Sequence, residues 1–145
     1  MAYEVSLQLA KRGVQVQGVL LIDSPSPINH IPLSESVIDS VLALQTRRAG
    51  SKLEGLVKAQ FVMNARMLGK YNPRATSEHS PSLKLVLLRS KEGYDPPSIS
   101  GTPTWLTDRK NPKSASAGWE TIAGEPIKVM DIPGHHFQPF EASHV

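Results

Sequence analysis

The 145-residue sequence has no cysteine. That excludes disulfides, thiolate metal ligation and a Cys nucleophile, and it fits a chain kept in a reducing compartment, so a cytoplasmic location is expected. No apolar run approaches the roughly 18 residues that a membrane span requires, so no membrane partner is expected. Aromatic residues make up only 6% of the chain. The sixteen Lys and Arg are scattered, the densest pairs being Lys11-Arg12, Arg47-Arg48 and Arg109-Lys110, and none is interleaved with aromatics. A formal charge of +3 and a pI near 9.3 therefore imply no nucleic-acid partner. The opening "MAYEVSLQLAKRG" lacks the basic-then-apolar order of a secretory signal. Repeats and low-complexity tracts are absent too. What remains is 39% hydrophobic and 20% charged, the balance of an ordinary globular domain with a real core. Its twelve prolines fall mainly between the periodic segments, as loop punctuation.

The periodicity then gives an order of elements. Ala2, Val5 and Leu9 share one helical face, and Lys11-Arg12-Gly13 makes a C-terminal stop. Ser6 lies inside that helix with its hydroxyl expected at the surface. The run Val19-Leu20-Leu21-Ile22 reads as a central strand buried on both faces, ended by Asp23 and by Ser24-Pro25-Ser26-Pro27. Residues 34–44 read as a helix capped by Ser34, with Val37, Ile38, Val41 and Leu42 on one stripe. A longer helix is expected over 52–70, with Leu53, Leu56, Val57, Gln60, Phe61, Asn64, Met67 and Leu68 at i, i+3/i+4 steps. "LKLVLLRS" at 83–90 is a second strand. Residues 91–117 read as a long loop with Trp105 isolated in it. "GWETIA" at 118–123 reads as a short helix, and "PIKVMDI" at 126–132 as a third strand turning into "PGHHF". Strands separated by helices imply an α/β fold with a mostly parallel sheet.

Two positions stand out chemically. Asp23 follows a strand, at the sheet edge where ligands bind in open α/β folds, although Asp before Ser-Pro is also common in plain turns. His135 and His136 are adjacent on a Gly turn. As a metal pair they lack a third ligand at suitable spacing. His30, His79 and His144 read as loop or terminal histidines.

"AYEVSLQLAKRGVQVQGVLLIDSPSP" resembles the stretch that follows the nucleophile elbow in thioesterase domains of fungal non-reducing polyketide synthases, members of the α/β-hydrolase superfamily. "KAQFVMNARMLGKYNP" resembles their lid helix, "LKLVLLRSKEG" the next core strand, and "GWETIAGEPIKVMDIPGHHF" the closing segment. The likeness covers residues 2–140. The family's closing motif is Gly-Asn-His-Phe, and here His135 stands in place of the Asn. The resemblance implies a partial α/β-hydrolase fold over 1–145, the C-terminal part of a thioesterase domain, with a helical lid insertion at about 31–72. It implies Asp23 as triad acid and His136 as base.

The resemblance also implies a reaction. A Ser attacks a thioester, His takes its proton, and a buried carboxylate fixes the imidazole tautomer. No cofactor is needed, and the partner is an acyl carrier protein bearing a phosphopantetheine-linked polyketide. Phe61, Asn64 and Gln60 on the lid helix are the expected substrate contacts. The sequence holds no Gly-x-Ser-x-Gly. Ser24 and Ser6 lack the elbow glycines that would make either a nucleophile. If the alignment holds, the missing serine lies ahead of Met1, and the chain is expected to be truncated or inactive alone. The alternative is a non-catalytic acyl-binding or interaction module, self-associating through exposed strand edges.

Overall fold

A computed structural model describes residues 2–28, 30–45, 51–71, 83–94, 101–111 and 118–138. His79 and His144 lie outside the described residues. The chain forms α1 (Ala2–Lys11), β1 (Val19–Ile22), α2 (Glu35–Gln45), α3 (Ser51–Lys70), β2 (Leu85–Ser90), α4 (Thr104–Thr107), α5 (Trp119–Ala123) and β3 (Lys128–Ile132). Helix α1 stops where Gly13 takes φ 80°, with the Gly13 and Val14 amides donating back to Ala10 and Leu9. Helix α2 starts at Ser34, whose Oγ accepts from the Val37 N–H at 3.4 Å, a cap worth about 1 kcal/mol.

The three strands form one parallel sheet in the order β1-β2-β3. Val19 pairs with Leu85 and Ile22 with Leu88, while Val86 pairs with Lys128 and Ser90 with Ile132. This register brings all three carboxyl ends to one edge. Alternation along the strands puts Val19, Leu21, Leu85, Leu87 and Val129 on one face. That face packs against Tyr3 of α1 and Trp119 and Ile122 of α5, the two rings meeting edge-on at 5.6 Å. Each fully buried Leu or Ile there contributes roughly 1.5–3 kcal/mol. A second cluster joins Val37 and Val41 of α2 to Tyr94 and Leu106 of α4. Tyr71, just past α3, ties that helix to α1 by donating to Glu4 Oε2 at 2.8 Å.

Several expectations are corrected. β1 is not buried on both faces: Leu20 is 58% exposed and Ile22 39% exposed. Among the described residues it is an edge strand, with β2 in the centre, so only its α1-facing side chains are covered. Ser6 is not at the surface; it is buried and its hydroxyl donates to Ala2 C=O at 2.8 Å, satisfying itself within the helix. The 91–117 loop contains the one-turn helix α4. In α3 the expected stripe divides, with Val57, Phe61 and Leu68 half-buried and Leu56 and Met67 exposed.

Candidate active site

The site is built where the strands end. Asp23 follows β1 with φ 41°, the one non-glycine residue with positive φ among those described. Asp tolerates this left-handed conformation better than most residues. The turn is closed by the Asp23 N–H donating to Leu88 O at 2.7 Å, and the side chain folds back towards β2. On the far side, β3 runs into Pro133 and Gly134, and Gly134 takes φ 80°. The Glu92 N–H donates to Gly134 O at 3.1 Å, which holds this turn against the end of β2. His136 follows two residues later.

The two turns meet. His136 Nδ1 lies 2.8 Å from Asp23 Oδ2, across 113 positions of sequence. The carboxylate has three further donors. The Ser90 N–H, at the end of β2, donates to Oδ1 at 2.8 Å. Arg109 grips both oxygens, Nη1 to Oδ1 and Nη2 to Oδ2, each at 2.8 Å. All four lone-pair positions are thus filled. Both partners of the ion pair are withdrawn from water, the Asp23 side chain being 2% exposed and that of Arg109 8%. Burial pushes the Asp23 carboxyl up, but the hydrogen bonds from His136, Ser90 and Arg109 and the Arg109 charge outweigh it, holding the acid below its ordinary range.

Arg109 and Trp105 lie on one short segment, and that segment is anchored by close contact. The Tyr94 N–H donates to Leu106 O at 2.9 Å, and Gly93 sits so near Thr107 that a Cβ there would fall 2.1 Å from the Thr107 carbonyl oxygen. From this segment Trp105 meets the His136 ring edge-on at 5.4 Å and His30 at 5.9 Å, and its Nε1 donates to Ile31 O at 3.1 Å. Burial pushes the His30 imidazole down. His135 turns elsewhere, meeting Tyr94 at 5.1 Å while its Nδ1 accepts from the Phe137 N–H.

His136 and Trp105 line a cleft of about 560 Å³ that β1 shares with helix α3 and, through Tyr3 and Trp119, with the core. Leu20 and Ile22 line it from the strand, and Phe61, Asn64 and Leu68 from the helix. Gln60 is exposed and is not among the lining residues; its amide donates to Asn64 Oδ1 at 2.9 Å. Ser24 lines the same cleft, yet no serine hydroxyl hydrogen-bonds His136 among the described residues.

Sequence reasoning brought forward Asp23 and His136, and the structure joins them. It missed Arg109, Ser90 and Trp105. The one signal available was indirect: a carboxylate at a buried strand end needs more donors than one imidazole can give.

No family model matches the chain. It is 36% identical, over 99% of its length, to an orsellinic acid synthase of Beauveria bassiana (strain ARSEF 2860), of which it spans 8%. It is 27% identical, over 99% of its length, to a non-reducing polyketide synthase of Zymoseptoria tritici (strain CBS 115943 / IPO323), of which it spans 7%. The chain thus spans less than a tenth of either relative. In fold it is similar to the NocB thioesterase domain solved as a covalent complex with a fluorophosphonate, with TM-score 0.62 and 21% identity, over 97% of this chain and 54% of that one.

Proposed function

We propose that this chain, a thioesterase-type segment whose sequence relatives are fungal non-reducing polyketide synthases, carries the acid and base of a Ser-His-Asp thioesterase, in the C-terminal part of that domain. One observation carries the reading: His136 Nδ1 lies 2.8 Å from a buried Asp23 carboxylate, at the mouth of an apolar cleft. A carboxylate accepts only, so Nδ1 carries the hydrogen and Nε2 is left as the acceptor. In acyl transfer, Nε2 removes the proton from a serine hydroxyl as its oxygen attacks the thioester carbonyl. The tetrahedral adduct collapses, the C–S bond breaks, and the departing pantetheine thiolate receives that proton. The acyl-serine is then released by water, giving the acid, or by a carbon nucleophile of the polyketide, giving a Claisen-type ring.

The acyl donor is a phosphopantetheine-linked polyketide on an acyl carrier protein. Its chain would lie in the cleft against Phe61 and Asn64, with Gln60 orienting the Asn64 amide. Since the sequence has no Gly-x-Ser-x-Gly, the serine must come from another stretch of polypeptide, and the 145 residues alone are expected to be inactive. The test joins the segment preceding the matched stretch of the Beauveria synthase to this chain and assays an N-acetylcysteamine thioester. Turnover abolished by His136→Ala and by a serine-directed fluorophosphonate is expected. A folded fusion whose turnover survives His136→Ala refutes the reading.

The second reading is a binding module that holds acyl groups without turning them over. It is favoured by a cleft in which no described serine meets the histidine. Saturable binding of the thioester by the folded fusion, with no hydrolysis, would select it.

A further inference from the structure

The most unusual group at the site is Arg109, which lies outside the Asp-His pair yet makes more contact with Asp23 than His136 does. It reaches Asp23 from 86 positions away, through both terminal nitrogens, in a fork geometry that fits one carboxylate orientation. With the Ser90 N–H it pins Oδ1, and by pinning Oδ1 it aims Oδ2 at His136. Its Nε is buried without a hydrogen-bond partner among the described residues, so the hydrogen bonds shown for the guanidinium all go to the carboxylate.

The electrical consequence is larger than the geometric one. A carboxylate with 2% exposure needs a counter-charge. In an Asp-His pair without other cations, the imidazole is the nearest group that can supply it, and an imidazole that has taken a proton to do so cannot accept one from a nucleophile. We propose that Arg109 is a positioning residue that serves as the standing counter-ion of Asp23, so that His136 binds the carboxylate through one N–H and keeps Nε2 open. This rests on the thioesterase reading for its purpose, but not for its geometry. The titratable and charged groups facing the pair are few among the described residues. Arg109 comes from the segment after α4, His30 approaches through Trp105 from the loop before α2, and His135 stands beside His136 against Tyr94.

The test is ¹⁵N NMR of the ring nitrogens of the folded 145-residue chain at pH 7, a readout independent of turnover. Arg109→Met and Arg109→Gln remove the charge, Gln keeping donors for the carboxylate. Arg109→Lys keeps the charge and loses the fork. In both neutral variants the ratio of doubly to singly protonated His136 is expected to rise roughly tenfold or more, the effect of losing a unit charge a few ångströms away. In Arg109→Lys it should stay within about threefold of wild type. A folded Arg109→Gln with unchanged ring protonation overturns the proposal. If both neutral variants fail to fold while Arg109→Lys folds, the counter-charge role is supported. If the Lys variant also fails, the guanidinium serves packing and the proposal is overturned. Asp23→Asn separates the two levels: if it leaves the His136 ring signals unmoved, the Asp-His pair and the thioesterase reading fail together, whatever Arg109 does.

Discussion

Replacing Asp23 should cost the fold more than almost any other single change at the surface edge of this sheet. Asp23→Ala strips the partners from Ser90, Arg109 and His136 and leaves a guanidinium that is 8% exposed with no anion. Breaking one side of a buried pair costs about 3–5 kcal/mol. Alanine must also adopt φ 41°, adding roughly 1 kcal/mol of left-handed strain. The expected loss is therefore about 4–6 kcal/mol for Asp23→Ala. Asp23→Asn retains a carbonyl acceptor and tolerates the turn, so about 3 kcal/mol is expected. Urea unfolding followed by circular dichroism, extrapolated to water, measures both. The pH dependence has a fixed sign. The folded-state acid is held below its ordinary value of 3.8. Its contribution is therefore complete above that pH and lost as pH falls through the lower folded value. The gap between wild type and Asp23→Asn should be full at pH 6 and shrink below pH 3.8. An Asp23→Asn protein within about 1 kcal/mol of wild type at pH 6 would refute the buried ion pair.

Gly93→Ala would drive a methyl to 2.1 Å from the Thr107 carbonyl, so thermal unfolding should show a loss of about 1–3 kcal/mol. Tyr71→Phe removes the bond to Glu4 and should cost about 1 kcal/mol, with faster hydrogen exchange confined to the C-terminal turns of α3. The edges of β1 and β3, unpaired among the described residues, should promote concentration-dependent association in light scattering; Leu20→Lys, at a site 58% exposed, should reduce it with little stability change, and a monodisperse wild-type monomer would overturn this expectation.

Much of the fold was written locally. The apolar runs at 19–22 and 85–88, and Val129, Met130 and Ile132 between the polar residues of β3, specify strands because β-branched and leucine side chains fill a pleated face. Ser34 and Gly13 mark helix ends through backbone bonds a few residues away. Asp23 and His136 were visible because short motifs flank them. Arg109 was not, since an ion pair spanning 86 positions leaves no trace beside either residue, and Arg109-Lys110 looks like any solvated basic pair. Helix α4 is a single turn and shows no period. The exposure of Leu20 and Ile22 was misjudged for a related reason: a continuous apolar run signals that a strand could be covered on both faces, not which neighbours cover it.

The edge-on seat of Trp105 against His136 gives the molecule an optical reporter. A protonated imidazole takes up an electron from excited indole, so the emission of Trp105 dims when the ring it touches gains charge. Trp119 is buried against Tyr3 with its Nε1 donating to Ser24 O at 2.7 Å, and it contributes a background signal. His30 touches the same indole, and His30→Phe would leave a fluorimeter reading one histidine alone.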